Sequence, residues 1–165
     1  MGSKAIHSGK AVDAKAKLLL KDYGWDAGIP DDGQQLKSMK FIKLIIAADG
    51  VSPAEAEALR THMTRYGVSE KVQMEVEAFD TQGAKLADIF EDASFLTPAR
   101  AERLLCAAID VAAADGFSDA ERTRLYQAAE ILGVKKSKAQ AFEALFDLEQ
   151  AARKMRVALF ADVPA

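Results

Sequence analysis

A single cysteine, Cys106, and only two histidines stand in the 165-residue chain. One cysteine excludes an internal disulfide, and the shortage of both residue types excludes a soft-metal site of the Cys/His kind within one chain. The chain therefore reads as a protein of a reducing compartment. Apolar runs are short: 44–48 falls well below the roughly 20 residues of a membrane span, and the polar residues 1–10 lack the apolar core of a signal peptide. A soluble cytoplasmic protein without a transmembrane segment is expected. Charge of one sign is lacking too, with 22 Lys plus Arg against 25 Asp plus Glu and a net charge of -3. No basic footprint for a phosphate backbone exists, so nucleic acid is not an expected partner.

Half of the residues are apolar, enough for a buried core. Only 4 prolines, few β-branched runs and plentiful Ala, Leu, Glu, Lys and Arg favour helix, and no window alternates with period two. An all-α protein follows. The first helix is expected over 11–22, with Val12, Leu18, Leu19 and Leu20 on its apolar side. A turn-rich connector over 23–33 follows it, with Trp25 and Ile29 as anchors to the body.

A second helix is expected over 33–48, capped by Asp32 with Gln35 and closed by Gly50 as its C′ residue. Ser52, Pro53 and Glu55 supply a capping box with Pro at the first helical position, which predicts a helix from there to about Gly67. Further helices are predicted over 70–79, 84–91 and 98–114, the last capped by Thr97. A final helix, capped by Ser137 with Gln140, is expected to close the fold through Phe142, Leu145, Phe146, Leu148, Met155, Val157 and Leu159.

The strongest signal is internal. Residues 113–134 repeat 47–68 at a constant offset of 66, with ten of 22 positions identical. Asp-Gly-x-Ser-x-x-Glu occurs at 49–55 and again at 115–121, and both copies continue to a Leu and then Gly-Val. Two similar helical units related by an approximate two-fold axis are expected, each too small to bury its apolar face alone. This divides the chain into an N-terminal helix and connector over 1–35, repeat one over 36–80, a linker helix over 81–97, repeat two over 98–148, and a C-terminal helix to about 159.

Much of the motif is backbone chemistry, because Gly stops a helix while Ser with Glu starts one. The aspartates are not asked for on that account, since a carboxylate at a helix C-terminus opposes the macrodipole. Either Asp49 and Asp115 accept hydrogen bonds from the turn, or they join Glu55 and Glu121 in holding a cation. A hard divalent ion takes about six to eight oxygens. Four carboxylates would supply part of that shell to Ca²⁺ or Mg²⁺, helped by carbonyls and water. An EF-hand is excluded, because Ile45 and Ala47 precede Asp49, and Val111 and Ala113 precede Asp115, where its loop needs oxygen ligands.

Catalytic patterns are absent. The chain has no Gly-rich phosphate loop, no Gly-x-Ser-x-Gly elbow and no His-Glu-x-x-His. His62 reads as a solvated or half-buried helix residue and Cys106 as a small packing residue. The short basic clusters at Lys135, Lys136 and Lys138, and at Arg153, Lys154 and Arg156, read as solvated faces.

The doubled Ala-Ala-Asp-Gly-x-Ser-x-x-Glu, followed by Leu and Gly-Val, resembles the tellurite resistance protein TerB family over about 36–148. That domain also precedes the J domain of a membrane-anchored co-chaperone. No His-Pro-Asp of a J domain occurs in this chain. The resemblance implies a bundle of seven to eight helices with pseudo-two-fold symmetry, serving as a non-catalytic module in stress and metal resistance. It also implies a divalent cation on acidic motif residues, which by position are Asp49, Glu55, Asp115 and Glu121. The function expected is protein interaction without catalysis. The alternative is a metal-free scaffold in which the motif serves only as helix caps.

Overall fold

The computed structural model describes residues 30–91 and 95–161, and the helix expected over 11–22, with Trp25 and Ile29, lies outside them. Among the described residues there are seven helices and no strand: α1 (Asp32–Ile46), α2 (Pro53–Arg65), α3 (Glu70–Glu77), α4 (Leu86–Ile89), α5 (Pro98–Ala112), α6 (Asp119–Ile131) and α7 (Lys136–Phe160). The offset of the sequence repeat carries into the backbone. Both ends of α1 and α5 differ by 66 residues, as do both ends of α2 and α6 and the starts of α3 and α7.

The first helix of each unit forms the centre. α1 packs against α2, α3, α4, α5 and α6, and α5 packs against α1, α2, α6 and α7. Phe41, Ile42, Leu44, Ile45 and Ile46 of α1 and Leu105 and Ile109 of α5 have almost no contact with solvent. Each such side chain contributes roughly 1.5–3 kcal/mol by leaving water. The buried Ala101, Ala108 and Ala112 add little volume on α5, so neighbouring helices fill that surface with larger side chains.

The ends of the helices correct several expectations. α1 is capped one residue earlier than expected: the Asp31 carboxylate accepts the Gln34 amide at 2.9 Å, and Gln34 completes the box. Gln35 is thereby freed to donate its side-chain amide to the Pro30 carbonyl at 2.8 Å. Gly50 is not the C′ residue, because α1 ends at the Ala47 C-cap, and its φ of 108° serves the turn into Ser52. The true C′ glycines are Gly67 and Gly133. In each case the following valine amide reaches back to a helix carbonyl, Val68 to Met63 at 2.9 Å and Val134 to Ala129 at 2.8 Å, which is the Schellman closure.

The linker helix shrinks to the single turn α4. Ser137 lies inside α7, whose N-cap is Lys135 and makes no side-chain cap bond. α7 does not close the fold along its whole length. Ala139 is buried and Phe142 and Phe146 pack on the core, but Met155, Val157, Leu159 and Phe160 are 65–71% exposed. No helix among the described residues is long and apolar enough to cross a membrane.

Candidate functional site

Each motif copy begins with the same local chemistry. Ser52 and Ser118 take extended backbone at φ and ψ of -73° and 160°, and -74° and 161°, and their hydroxyls accept the amides of Glu55 and Glu121 at 3.1 Å. The glutamates return the bond: the Ser52 amide donates to Glu55 Oε2 at 2.7 Å, and the Ser118 amide to Glu121 Oε2 at 2.8 Å. These are capping boxes that use two orphan amides at each helix start.

A capping glutamate ordinarily points its spare oxygen at water. Here both side chains are only 2% exposed, and Glu55 is hydrogen-bonded to Glu121. The motif copies therefore meet through their glutamates, with the N-termini of α2 and α6 behind them. Glu121 Oε1 is buried with no donor in reach other than the opposing carboxyl. Two ionised carboxylates cannot bond to each other, so the contact requires a proton. Burial pushes Glu55 up to about 7, the bond to Glu121 adds to the rise, and the Ser52 amide and hydroxyl act against it.

The two aspartates go elsewhere. Asp49 and Asp115 are exposed, so water solvates them at the helix ends where the macrodipole is unfavourable. Among the described residues no three side chains of His, Cys, Asp and Glu are grouped so that they could hold a metal ion. Of the four acidic positions the structure joins Glu55 with Glu121 and leaves Asp49 and Asp115 apart. Two carboxyl groups that share a proton and already accept backbone amides do not fit a hard cation needing six to eight oxygens.

Other polar groups act as braces. Lys43 Nζ donates to the carbonyls of Val76, Glu77 and Phe79, each at 2.8 Å, and so caps the C-terminal end of α3 from α1. Arg124 of α6 donates to the Leu44 carbonyl of α1 at 2.9 Å. Neither brace is readable from the motif, because the equivalent positions of the other unit hold Ile109 and Ala58.

A groove of about 1020 Å³ runs between α2, α5 and α7, and a pocket of about 100 Å³ adjoins it beside α1. His62, Tyr66 and Arg103 belong to both. His62 is half-buried with its ring 4.7 Å from that of Tyr66, and burial, aided by the Arg65 cation, holds it down at about 4. It is neutral near pH 7. Cys106 is half-buried in the groove wall, and burial followed by the charges of Asp110, Glu102 and Glu149 pushes its thiol up to about 12. An undissociated thiol is a poor nucleophile.

With this geometry in place, comparison with solved structures gives a match to the crystal structure of a tellurite resistance protein from Nostoc punctiforme PCC 73102. It covers 100% of this chain and 99% of that one, with a TM-score of 0.78 and 23% sequence identity. The chain has the TerB-like fold. No sequence profile of a known protein family and no curated protein matches it.

Proposed function

We propose that this TerB-like chain is a non-catalytic module of tellurite or metal-stress resistance that acts by binding another protein. The observation that carries the reading is the distal half of α7. There Met155, Val157, Leu159 and Phe160 extend beyond the body and remain 65–71% exposed. Scattered exposed apolar residues are ordinary, but here Met155 neighbours Leu159 and Val157 neighbours Phe160 one turn apart, so two sides of the same helix end present large apolar side chains, a concentration that marks an interaction surface. The inward chemistry supports the same view. The buried carboxyl pair is engaged by helix caps, His62 is neutral and Cys106 is protonated, which leaves no assembled nucleophile and base among the described residues.

The test places a photo-crosslinking amino acid at Met155 in the full chain and a control at Lys71, on an exposed stretch of α3. Crosslinking is carried out in cells with and without tellurite. A discrete heavier adduct from position 155 alone is expected. No adduct, or the same adducts from both positions, overturns the reading.

A further inference from the structure

α7 carries two apolar stripes. One runs through Ala139, Phe142 and Phe146 and packs on the core. On another flank Leu145, Leu148, Ala152, Met155 and Leu159 follow one another at alternating steps of three and four residues, the 3.5-residue spacing of a coiled-coil seam. Leu145, Leu148, Met155 and Leu159 are 50%, 69%, 65% and 71% exposed, so the body leaves this seam uncovered. A seam written in heptads fits a second helix laid alongside α7.

The residues bordering the seam say which helix. Along one border stand Ala144, Ala151 and Ala158, exposed and small enough for close approach, and along the other stand Glu149 and Arg156, exposed and seven residues apart. In a parallel pair of α7 helices opposite borders meet, and each charge faces an alanine. In an antiparallel pair like borders meet, so alanine faces alanine and charge faces charge. The border charges then choose the register. Shifting the pair by a heptad in one direction sets Glu149 against the partner's Glu149, and in the other direction Arg156 against the partner's Arg156. The register between them sets Glu149 against the partner's Arg156 and Arg156 against the partner's Glu149, with a two-fold axis passing between Arg153 and Lys154. Leu148 then meets the partner's Leu159, and the small Ala152 meets the partner's Met155, large against small. One helix sequence supplies both halves of this match, as an isologous interface requires. The axis also keeps the two bodies at opposite ends of the helix pair.

We propose that the occupant of this seam is a second copy of the chain, α7 pairing with the partner's α7 as a short antiparallel coiled coil in a two-fold dimer. The proposal rests on reading the end of α7 as an interaction surface and names the partner of that surface. The seam is little longer than two heptads, so the dimer is modest in affinity, with a Kd of about 1–100 μM. The first half of α7 is anchored on the body, so helix nucleation adds no cost to association.

Sedimentation velocity on the purified full chain, from about 1 to 500 μM, should show a monomer converting to a dimer. Glu149→Arg alone and Arg156→Glu alone each put like charges across both borders and should weaken the dimer about tenfold or more, with the helical circular dichroism unchanged. An equimolar mixture of the two variants restores opposite charges on both sides and should associate as the wild type does. Three results overturn the proposal: a monomer at every concentration, a dimer indifferent to both substitutions, or weakened variants that the mixture does not rescue. The function proposed above fails separately. A monomeric chain whose Met155 adduct contains a different protein removes the second copy and keeps the interaction module, whereas loss of the Met155 adduct counts against the module whatever the purified chain does.

Discussion

Replacing Glu55 by Gln is the sharpest probe of the joined motif copies. In the native protein Glu55 holds its proton up to about 7, against an ordinary value of 4.5. The unfolded chain releases that proton near the ordinary value. Between these limits the folded state binds more protons than the unfolded state, so stability falls as pH rises from about 4.5 through 7. The full separation corresponds to roughly 3 kcal/mol, and relaxation of the pair at high pH lowers the observable loss to about 2 kcal/mol. Glutamine keeps an acceptor for the Ser52 amide, offers an N–H to Glu121 and does not titrate. Glu55→Gln should therefore lie within about 1 kcal/mol of the wild type at pH 5 and gain about 2 kcal/mol on it by pH 8. Urea unfolding at pH 5, 6.5 and 8 measures this, and the difference between the two proteins cancels groups common to both. A difference that stays flat across the three pH values would refute the shared proton.

Three further outcomes are expected. Lys43→Met removes three bonds to the end of α3 and should cost about 1–3 kcal/mol in urea unfolding, with faster amide exchange confined first to α3; a loss under 0.5 kcal/mol would mean that water replaces the ammonium without penalty. His62, held at about 4 against an ordinary 6.5, should show no NMR titration above about pH 5. Its folded state binds fewer protons than the unfolded chain, so its contribution is present above 6.5 and lost as pH falls toward 4. Gly116→Ala puts a Cβ into open space at a φ of 128°, so the cost is backbone strain alone, about 1–2 kcal/mol, and Gly50→Ala at 108° should cost the same in a paired melt.

The helical class was legible because composition and capping chemistry agree, and Ser52 with Glu55 and Ser118 with Glu121 fall where the sequence puts them. Misplaced ends trace to local rivals. Asp31 and Asp32 are adjacent and each has a Gln three residues on, so the sequence offers two registers; in the one adopted Gln35 bonds to Pro30 and the Asp32 carboxylate accepts the Ser69 hydroxyl at 3.1 Å. Ser137 looked like a cap because serine is a common one. The repeat itself contained the correction, since 66 residues beyond the Ser69 cap of α3 stands Lys135, the observed N-cap of α7. The distal face of α7 was beyond reach. Amphipathic spacing reports a face that needs cover, not what covers it.

The site divides along a similar line. Local rules made Ser and Glu caps and made Asp anomalous, which drew the four carboxylates toward one cation. The structure separates the two kinds of acid by burial. An aspartate at a helix end in open water loses most of its conflict with the macrodipole to solvent and needs no ion. A glutamate on the buried face of a helix's first turn has no such outlet, and its free oxygen must meet a donor. When a unit is doubled and the copies share a core, the group nearest each helix start can face its own equivalent. A carboxyl facing a carboxyl is satisfied by one proton between them. Capping and pairing are thus one structure: the serines hold each glutamate in the orientation that lets the proton bridge the units.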